Sequence, residues 1–436
     1  MDFVIIFFGK AFIFFSNLLN LGNGSTWPGH IALKLNPSFI KDLLLSDPRG
    51  RKLKIIIIAG TNGKTTTGKL ISEILRANGK SVIENAAGAN LLNGLASTLI
   101  NGSRLFDSVR RGLAELEYDY LIFESDENAL PEVIEQTNPD YVICLNLFRD
   151  QLDRYGEIDS IAKKWQKAFE KLNPSTTLIL NADDPQMSYL SSNTSANSLY
   201  FGLSEKAKEK TSHGADTTHC PKCSDKLDFE TVFFSHLGIW HCPNCKLRRP
   251  NLDLSKINYY PLPGTYNKYN SLAASLVAIS ERINLESIKK TYTNFTPAFG
   301  RQEKIGYKGK NVQIFLSKNP TSFNESLQTI RDLDGKNLLI VLNDKIPDGL
   351  DVSWIWDINF EDILDKKFNI AVSGDRVYDM ALRLKYAEQF THIELDPKTM
   401  LNKMIQGLEP KETLYILANY SAMLDARKIL TGRKIL

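Results

Sequence analysis

Leu53-Lys-Ile-Ile-Ile-Ile-Ala-Gly60-Thr-Asn-Gly-Lys64-Thr-Thr66 decides the reading of this chain. Its first half is a β-branched run with the unbroken apolar character of a strand buried on both faces, and Gly60 ends it. After Lys64 the composition turns helical, Lys69-Leu-Ile-Ser-Glu-Ile-Leu-Arg76. Gly60–Thr66 therefore sits at a strand-to-helix junction, where free N–H groups and the positive end of the helix dipole attract an anion. The glycines let the main chain wrap phosphate oxygens, Lys64 reaches the outer phosphates, and the Thr65 hydroxyl suits Mg²⁺. The strict phosphate-loop pattern needs glycine at position 58, which is Ile58 here, so this is a variant loop. Gly60, Thr61, Asn62, Gly63, Lys64, Thr65 and Thr66 are the expected nucleotide-phosphate site.

Working outward, Tyr120-Leu-Ile-Phe-Glu124, Tyr141-Val-Ile-Cys-Leu145 and Thr177-Leu-Ile-Leu180 are further buried-strand candidates, separated by helical or turn-rich stretches. A second alternation follows Gly300. It comprises Val312–Leu316, a helix near Glu325–Arg331, Asn337–Leu342, Phe368–Val372, a helix from about Val377 to Ala387, and Glu412–Leu417. This βαβ pattern, twice over, predicts two α/β units. The stretch 203–260, first Lys-rich and then Cys/His-rich, reads as an insertion in neither sheet. Expected domains are an N-terminal apolar helix and linker (1–50), a nucleotide-binding domain (51–300) with an insertion at 216–250, and a Rossmann-like α/β domain (301–436).

The 436 residues carry 53 Lys and Arg against 50 Asp and Glu, a net +3 that gives no footing to a polyanion-binding surface. The first 15 residues are strongly apolar, but Gly9-Lys10 leaves unbroken runs of only six and five residues, short of a membrane span. An acidic residue at position 2 and no small-residue cleavage site argue against a signal peptide. A helix docked on another domain is expected, with peripheral contact at a membrane surface as the alternative. Five cysteines are too few for a disulfide framework, so a reducing, cytoplasmic setting is expected, at the inner face of the membrane under that alternative.

Four of those cysteines form two knuckles, Cys220-Pro-Lys-Cys223 and Cys242-Pro-Asn-Cys245, separated by 18 residues. That spacing fits a structural Zn²⁺ site, and four thiolates leave no open position for catalysis. A redox dithiol, disulfides and a nucleic-acid-binding ribbon are the alternatives. His213, His219, His236 and His241 lie close enough in sequence to compete as ligands. Cys144, inside an apolar strand, reads as a buried small hydrophobe.

The variant loop and the segments after it resemble the Mur ligase family, ATP-dependent enzymes that activate a carboxylate as an acyl phosphate. Glu124 resembles the family's Mg²⁺-binding glutamate. Asn146-Leu-Phe-Arg-Asp150-Gln151-Leu-Asp153 resembles its Asn…Asp-His-x-Asp segment, with Gln151 where histidine is usual. Asn181-Ala-Asp-Asp184-Pro185, Gly264-Thr-Tyr-Asn267-Lys-Tyr-Asn270 and Phe299-Gly-Arg301-Gln-Glu303 look like the nucleotide-side motifs. The resemblance puts Asn267 and Asn270 near adenine and Arg301 near ribose or phosphate. It makes Lys64 and Glu124 catalytic, with Thr65 and Glu124 holding Mg²⁺. Where amino-acid-adding members carry an Asp-Tyr-x-His type motif, this chain reads Leu316-Ser-Lys-Asn319-Pro-Thr-Ser-Phe-Asn324-Glu325. The missing histidine points to another nitrogen donor.

A Mur-ligase-like core with a Cys₄ ribbon, joined to a C-terminal domain lacking that motif, resembles the family's amidotransferase branch, synthetase subunits that pair with a GatD-type glutaminase. The likeness takes in Gly22–Gly29, Arg149–Glu157 and Asn343–Asp357. It implies amidation of the D-glutamate α-carboxyl in the lipid II stem peptide to D-isoglutamine, within a heterodimer, using ammonia released from glutamine. The segment with Asp344, Asp348, Asp351 and Asp357 beside Trp354 and Trp356 offers a carboxylate able to orient an imidazole, or acids that simply cap turns. The resemblance gives Asp351 the catalytic role of completing the partner's Cys-His-acid triad, with Asp348 as second candidate. A stand-alone Mur or folylpolyglutamate-type amino acid ligase, and a non-enzymatic ATP-switched ribbon module, are the rival readings.

Overall fold

The computed structural model describes residues 2–18, 26–45, 53–85, 88–104, 115–149, 158–204 and 217–432. Asp150, Gln151, Asp153, His213 and Gly22–Ser25 lie outside them.

The first sheet is six-stranded and wholly parallel. Its strands are β1 (Lys54–Ala59), β2 (Val82–Glu84), β3 (Tyr120–Glu124), β4 (Tyr141–Cys144), β5 (Thr177–Asn181) and β6 (Asn197–Phe201), in the order β2-β3-β1-β4-β5-β6. The pleat sends Ile55, Ile57, Phe123, Val142 and Cys144 into one core and Ile56, Ile58, Ile122 and Ile143 into the other. Both faces are covered, which is why the sequence runs are apolar without alternation. Truncating Ile57, fully buried, to alanine would cost about 2–5 kcal/mol. Cys144 is buried in the first core, and burial pushes its thiol well above the ordinary range.

The chain leaves β6 to build a two-stranded hairpin, β7 (Asp228–Phe234) and β8 (Leu237–His241), and returns with Leu254 bridging to Phe201. Exit and return are thus adjacent, as an insertion requires. Helix Thr265–Ser280 then packs on the first sheet.

The second sheet comprises β9 (Arg301–Tyr307), β10 (Lys310–Leu316), β11 (Asn337–Val341), β12 (Asn369–Ser373), β13 (Thr391–Ile393) and β14 (Thr413–Ala418), ordered β9-β10-β14-β11-β12-β13. All pairs are parallel except β9 with β10. Its two faces bury separate cores, one around Leu338, Ile340 and Leu417 and the other around Ile314, Leu339 and Ile416. The apolar run Val312–Leu316 lies in β10, and the sheet begins one strand earlier than that run suggested: β9 is an antiparallel edge strand that needs only one apolar face, and its residues alternate in exposure.

The N-terminal helix Asp2–Leu18 packs on helices Trp27–Leu35 and Leu92–Gly102 and buries Ile5 and Ile6 in the first sheet's core. Its outer face leaves Val4, Phe7, Phe8, Phe12 and Phe14 exposed. Among the described residues no helix is long and apolar enough to cross a membrane.

Candidate functional site

β1 lies between β3 and β4, where the strand order reverses direction, and in open α/β sheets the crevice at the carboxyl ends of such strands is the ligand site. Gly60–Gly63 leaves β1 there. The loop is held from β4's end. Thr61 N donates to Asn146 O (3.1 Å), Asn62 N donates to Asn146 Oδ1 (3.0 Å), and Asn146 Nδ2 donates back to Asn62 O (3.1 Å). Thr61 Oγ1 and the Phe148 main chain exchange two more bonds. Gly63 caps helix Lys64–Ala77 at φ 96°, and a Cβ there would stand 2.2 Å from Asn270 Oδ1, so backbone and space both demand glycine.

Beside this loop Thr65 Oγ1 donates to Glu124 Oε2 at 2.8 Å. Glu124 is aimed by Asn85, which accepts from Glu124 N (2.9 Å) and donates to its carbonyl (3.2 Å). Burial raises the Glu124 carboxyl above its ordinary value, while the Thr65 hydroxyl and the charges of Arg301 and Lys64 pull it back. Two hard oxygen donors meeting beside a phosphate loop match the preference of Mg²⁺. Lys64 Nζ donates to Gly60 O and lies 3.2 Å from Glu127 Oε1, which holds it over the loop.

A cleft of about 710 Å³, open mouth included, runs from Asn62 and Gly63 to the second domain. Asn267 and Asn270 line it. Asn270 is pressed against the loop, accepting from Thr67 Oγ1 (3.4 Å) and donating to Asn267 Oδ1 (3.2 Å). Arg301 lines it as well. A β-bulge between Arg301 and Glu303 re-aims the strand, and burial depresses the Arg301 guanidinium against the opposing charge of Glu124. On the far side Asn319 caps helix Pro320–Asp332 in a capping box with Ser322, and its Nδ2 reaches Asn62 Oδ1 at 3.4 Å. This is the segment in which histidine is missing.

Asn181–Pro185, grouped by resemblance with the nucleotide motifs, does not line the cleft. Asp184 caps helix Pro185–Tyr189 and accepts from Leu147 N, and the buried Asp183 accepts from Arg249, Tyr269 and Leu203 N. Both carboxylates are spent in packing. Burial, with the Arg249 charge opposing it, raises Asp183 to about 6.

In the insertion the Sγ atoms of Cys220, Cys223, Cys242 and Cys245 all lie within 4.8 Å of one another. The Cys220–Cys245 and Cys223–Cys242 separations are 3.5 Å, close to the roughly 3.8 Å edge of a tetrahedron with about 2.3 Å Zn–S bonds. The two knuckles share one geometry: Ser224 N donates to Cys220 O and Lys246 N to Cys242 O, each from a residue in the left-handed region. The donor set is compatible with zinc. No described histidine joins it, for His219 bonds Thr218, His241 faces Asp228, and His236 is buried beside Asp184.

Asp351 is exposed, and the Ser353 N–H and hydroxyl, at 2.8 and 3.0 Å, hold its carboxyl below the ordinary range. Asp348 is instead buried and caps helix Tyr420–Thr431 through Ser421 N (2.9 Å) and its hydroxyl. Asp344 pairs with Arg376 at 2.8 Å. Asp351 alone among these three is neither buried nor bound to a cation.

Sequence reasoning overlooked Glu127 and Asn85, which hold Lys64 and Glu124. Asn85 follows β2 and Glu127 follows β3, with no distinctive spacing between them, so nothing in the sequence marks them.

The chain matches the Mur ligase middle domain over residues 58–278 and the MurT ligase C-terminal domain over residues 316–423. It is 32% identical over 445 residues to the lipid II isoglutaminyl synthase (glutamine-hydrolyzing) subunit MurT of Streptococcus pneumoniae, spanning 96% of this chain and 95% of that one. The Staphylococcus aureus (strain COL) subunit of the same name is 32% identical over 386 residues, spanning 84% and 83%. In fold it resembles a pseudomurein peptide ligase type C from Methanothermus fervidus, at a TM-score of 0.65 and 23% identity, covering 90% of this chain and 81% of that one. A middle-domain match over half the chain, and this identity along nearly its whole length, mean that the chain belongs to the Mur ligase family, in its MurT branch.

Proposed function

We propose that this ATP-dependent ligase amidates the D-glutamate α-carboxyl of the lipid II stem peptide, through an acyl phosphate, with ammonia supplied by a GatD-type glutaminase subunit. The reading rests on one observation above others: Thr65 and Glu124 meet beside the phosphate loop, and Asn319, at a helix start that carries no imidazole, reaches Asn62 of that same loop.

Carboxylate attack on a γ-phosphate crowds anions together, and positioning with charge neutralisation supplies most of the catalysis. Thr65 and Glu124 would hold Mg²⁺, which would neutralise phosphate charge. Lys64 leaves Gly60 O and Glu127 to meet the outer phosphates. Asn146 keeps Asn62 and Thr61 in place so that loop N–H groups stay aimed. Arg301 faces the same charge from the second domain. Asn267 and Asn270 flank the nucleotide, and Cys220, Cys223, Cys242 and Cys245 hold a structural Zn²⁺. Exposed Asp351 is free to reach the partner's histidine. The apolar outer face of helix Asp2–Leu18 would rest on the inner membrane surface that carries such a lipid.

The test is incubation of the two purified subunits with lipid II, ATP and glutamine, followed by mass spectrometry. Replacement of a hydroxyl by an amino group, requiring both chains, is the expected result. Addition of a whole amino acid residue would instead establish a stand-alone ligase.

A further inference from the structure

The ribbon does not merely hang from the domain: its far end reaches the cleft. Phe234, at the end of β7, and Leu237, at the start of β8, line the cleft together with Phe148, Leu262 and Tyr269. With Phe315 and Leu316 of β10 they give the cleft an apolar lining beside the polar loop residues Asn62, Gly63 and Thr66. Phe234 packs on Tyr269 with ring centroids 5.7 Å apart and on Phe148 at 6.0 Å, so the hairpin tip joins helix Thr265–Ser280 to the segment after β4. The tip is fixed from below as well. Gly238 N donates to Asp183 O and Trp240 Nε1 to Ala182 O, both at 3.0 Å, and Arg249 anchors the ribbon's return on Asp183. β8 then runs from Leu237 to His241, with two irregularities in its pairing to β7, and the next residue is Cys242. Five steps of about 3.3 Å carry the chain roughly 17 Å from the cleft to the metal ligands.

From this juxtaposition we infer that Phe234, backed by the fully buried Leu237, forms the base wall of the nucleotide pocket, so that the cysteine ribbon is a working part of the ATP site. This rests on the reading of the cleft as that site. A nucleotide with its phosphates on Gly60–Thr66 must direct its base along the cleft, and a purine face is best received by aromatic and aliphatic surface. The wall comes from an insertion rather than from the sheet, so the ribbon's cysteines position Phe234 and Leu237 indirectly, through β8, and touch no ligand themselves.

The test uses the full chain with Mg²⁺ and calorimetric titration of two ligands, ATP and inorganic tripolyphosphate. Phe234→Ala and Leu237→Ala are expected to weaken ATP about tenfold each, the scale of one lost base–side-chain stack, while leaving tripolyphosphate affinity unchanged. Phe234→Leu, which opens little space, should fall between. Unchanged tripolyphosphate binding shows that the loop is still folded, which a general loss of structure would not allow. ATP affinity equal to wild type in all three variants overturns the inference and leaves the parent reading intact. Parallel loss of both ligands in Phe234→Leu also overturns it. A wild-type chain that binds tripolyphosphate as tightly as ATP removes the base wall outright, and one that binds neither removes the nucleotide site with it.

Discussion

Thr65 Oγ1 and Glu124 Oε2, one from the first turn of a helix and the other from the end of a neighbouring strand, meet at 2.8 Å. Burial raises the Glu124 carboxyl above its ordinary value, opposed by the Thr65 hydroxyl and by the charges of Arg301 and Lys64. Glu124→Gln keeps the Thr65 hydrogen bond and removes the charge. Turnover is expected to fall about 100-fold with a higher Mg²⁺ requirement, while the unfolding temperature stays at or slightly above wild type. A Mg²⁺ titration of ATP-dependent turnover beside a thermal melt reads both. Because the cation needs the ionised carboxylate, Mg²⁺ affinity in the wild type weakens as pH falls.

Gly63 tolerates no side chain. Gly63→Ala would put a Cβ 2.2 Å from Asn270 Oδ1 at φ 96°, costing about 1–3 kcal/mol of stability and displacing Asn270 from the cleft. Urea unfolding measures the first effect and ATP titration the second; an alanine variant that binds ATP normally would show that the loop can be rebuilt.

Asp351 and Asp348 separate by readout. Asp351→Asn lies on the surface and should change stability by less than about 0.5 kcal/mol. With the partner present, glutamine-driven amidation should drop about 100-fold or more while ammonium-driven amidation persists. Asp348→Ala loses a helix cap and should cost about 0.5–2 kcal/mol, with both nitrogen sources affected alike. Steady-state rates with each nitrogen source decide between these roles.

Removing the metal should be visible from within the ribbon. Trp240, 2% exposed, packs against Cys220 and Cys242. With the proposed Zn²⁺ bound by the four cysteines, a high-affinity chelator is expected to shift tryptophan emission to the red while the far-ultraviolet signal of the two sheets survives. Metal analysis beside the spectra gives the stoichiometry.

Asp183 gives a pH dependence with a definite sign. Its folded value of about 6 lies above the ordinary aspartate value near 4, so the folded chain holds this proton more tightly than the unfolded chain. The group's contribution is full below about pH 4 and is lost as pH rises through about 6, a change on the order of 3 kcal/mol. Asp183→Asn removes that slope. The difference between wild type and variant in urea midpoint should therefore change between pH 4 and 6 and be flat above 7.

The parts of the fold legible in sequence were those under the strongest constraint. β1, β3, β4, β5, β11, β12 and β14 are buried on two faces, and such strands leave an apolar run; the helix Asp2–Leu18 carries one too, Phe3–Phe8, and is told from a strand by its continuation past Gly9-Lys10. The edge strands β2, β6, β9 and β13 left no such mark: β2 is only three residues long, and half of Asn197-Ser-Leu-Tyr-Phe201 or Arg301-Gln-Glu-Lys-Ile-Gly-Tyr307 faces solvent or a loop. The site divides the same way. Gly60–Thr66 is contiguous, and the cysteine knuckles carry their own spacing. Thr65 against Glu124, Asn270 against Gly63 and Phe234 against Tyr269 are tertiary pairs between elements far apart in sequence, and no local pattern encodes which residues meet.

In the second sheet β14 separates β10 from β11, yet residues 413–418 are the last of the six strands to be synthesised. A nascent chain halted at Gly407 would therefore hold two fragments, β9 with β10 and β11 to β13, each presenting a bare inner edge where the keystone strand belongs. Such edges recruit strands from neighbouring molecules. This half of the molecule can be finished only after translation has passed Ala418, and truncations short of that point are expected to yield aggregates rather than a smaller working enzyme.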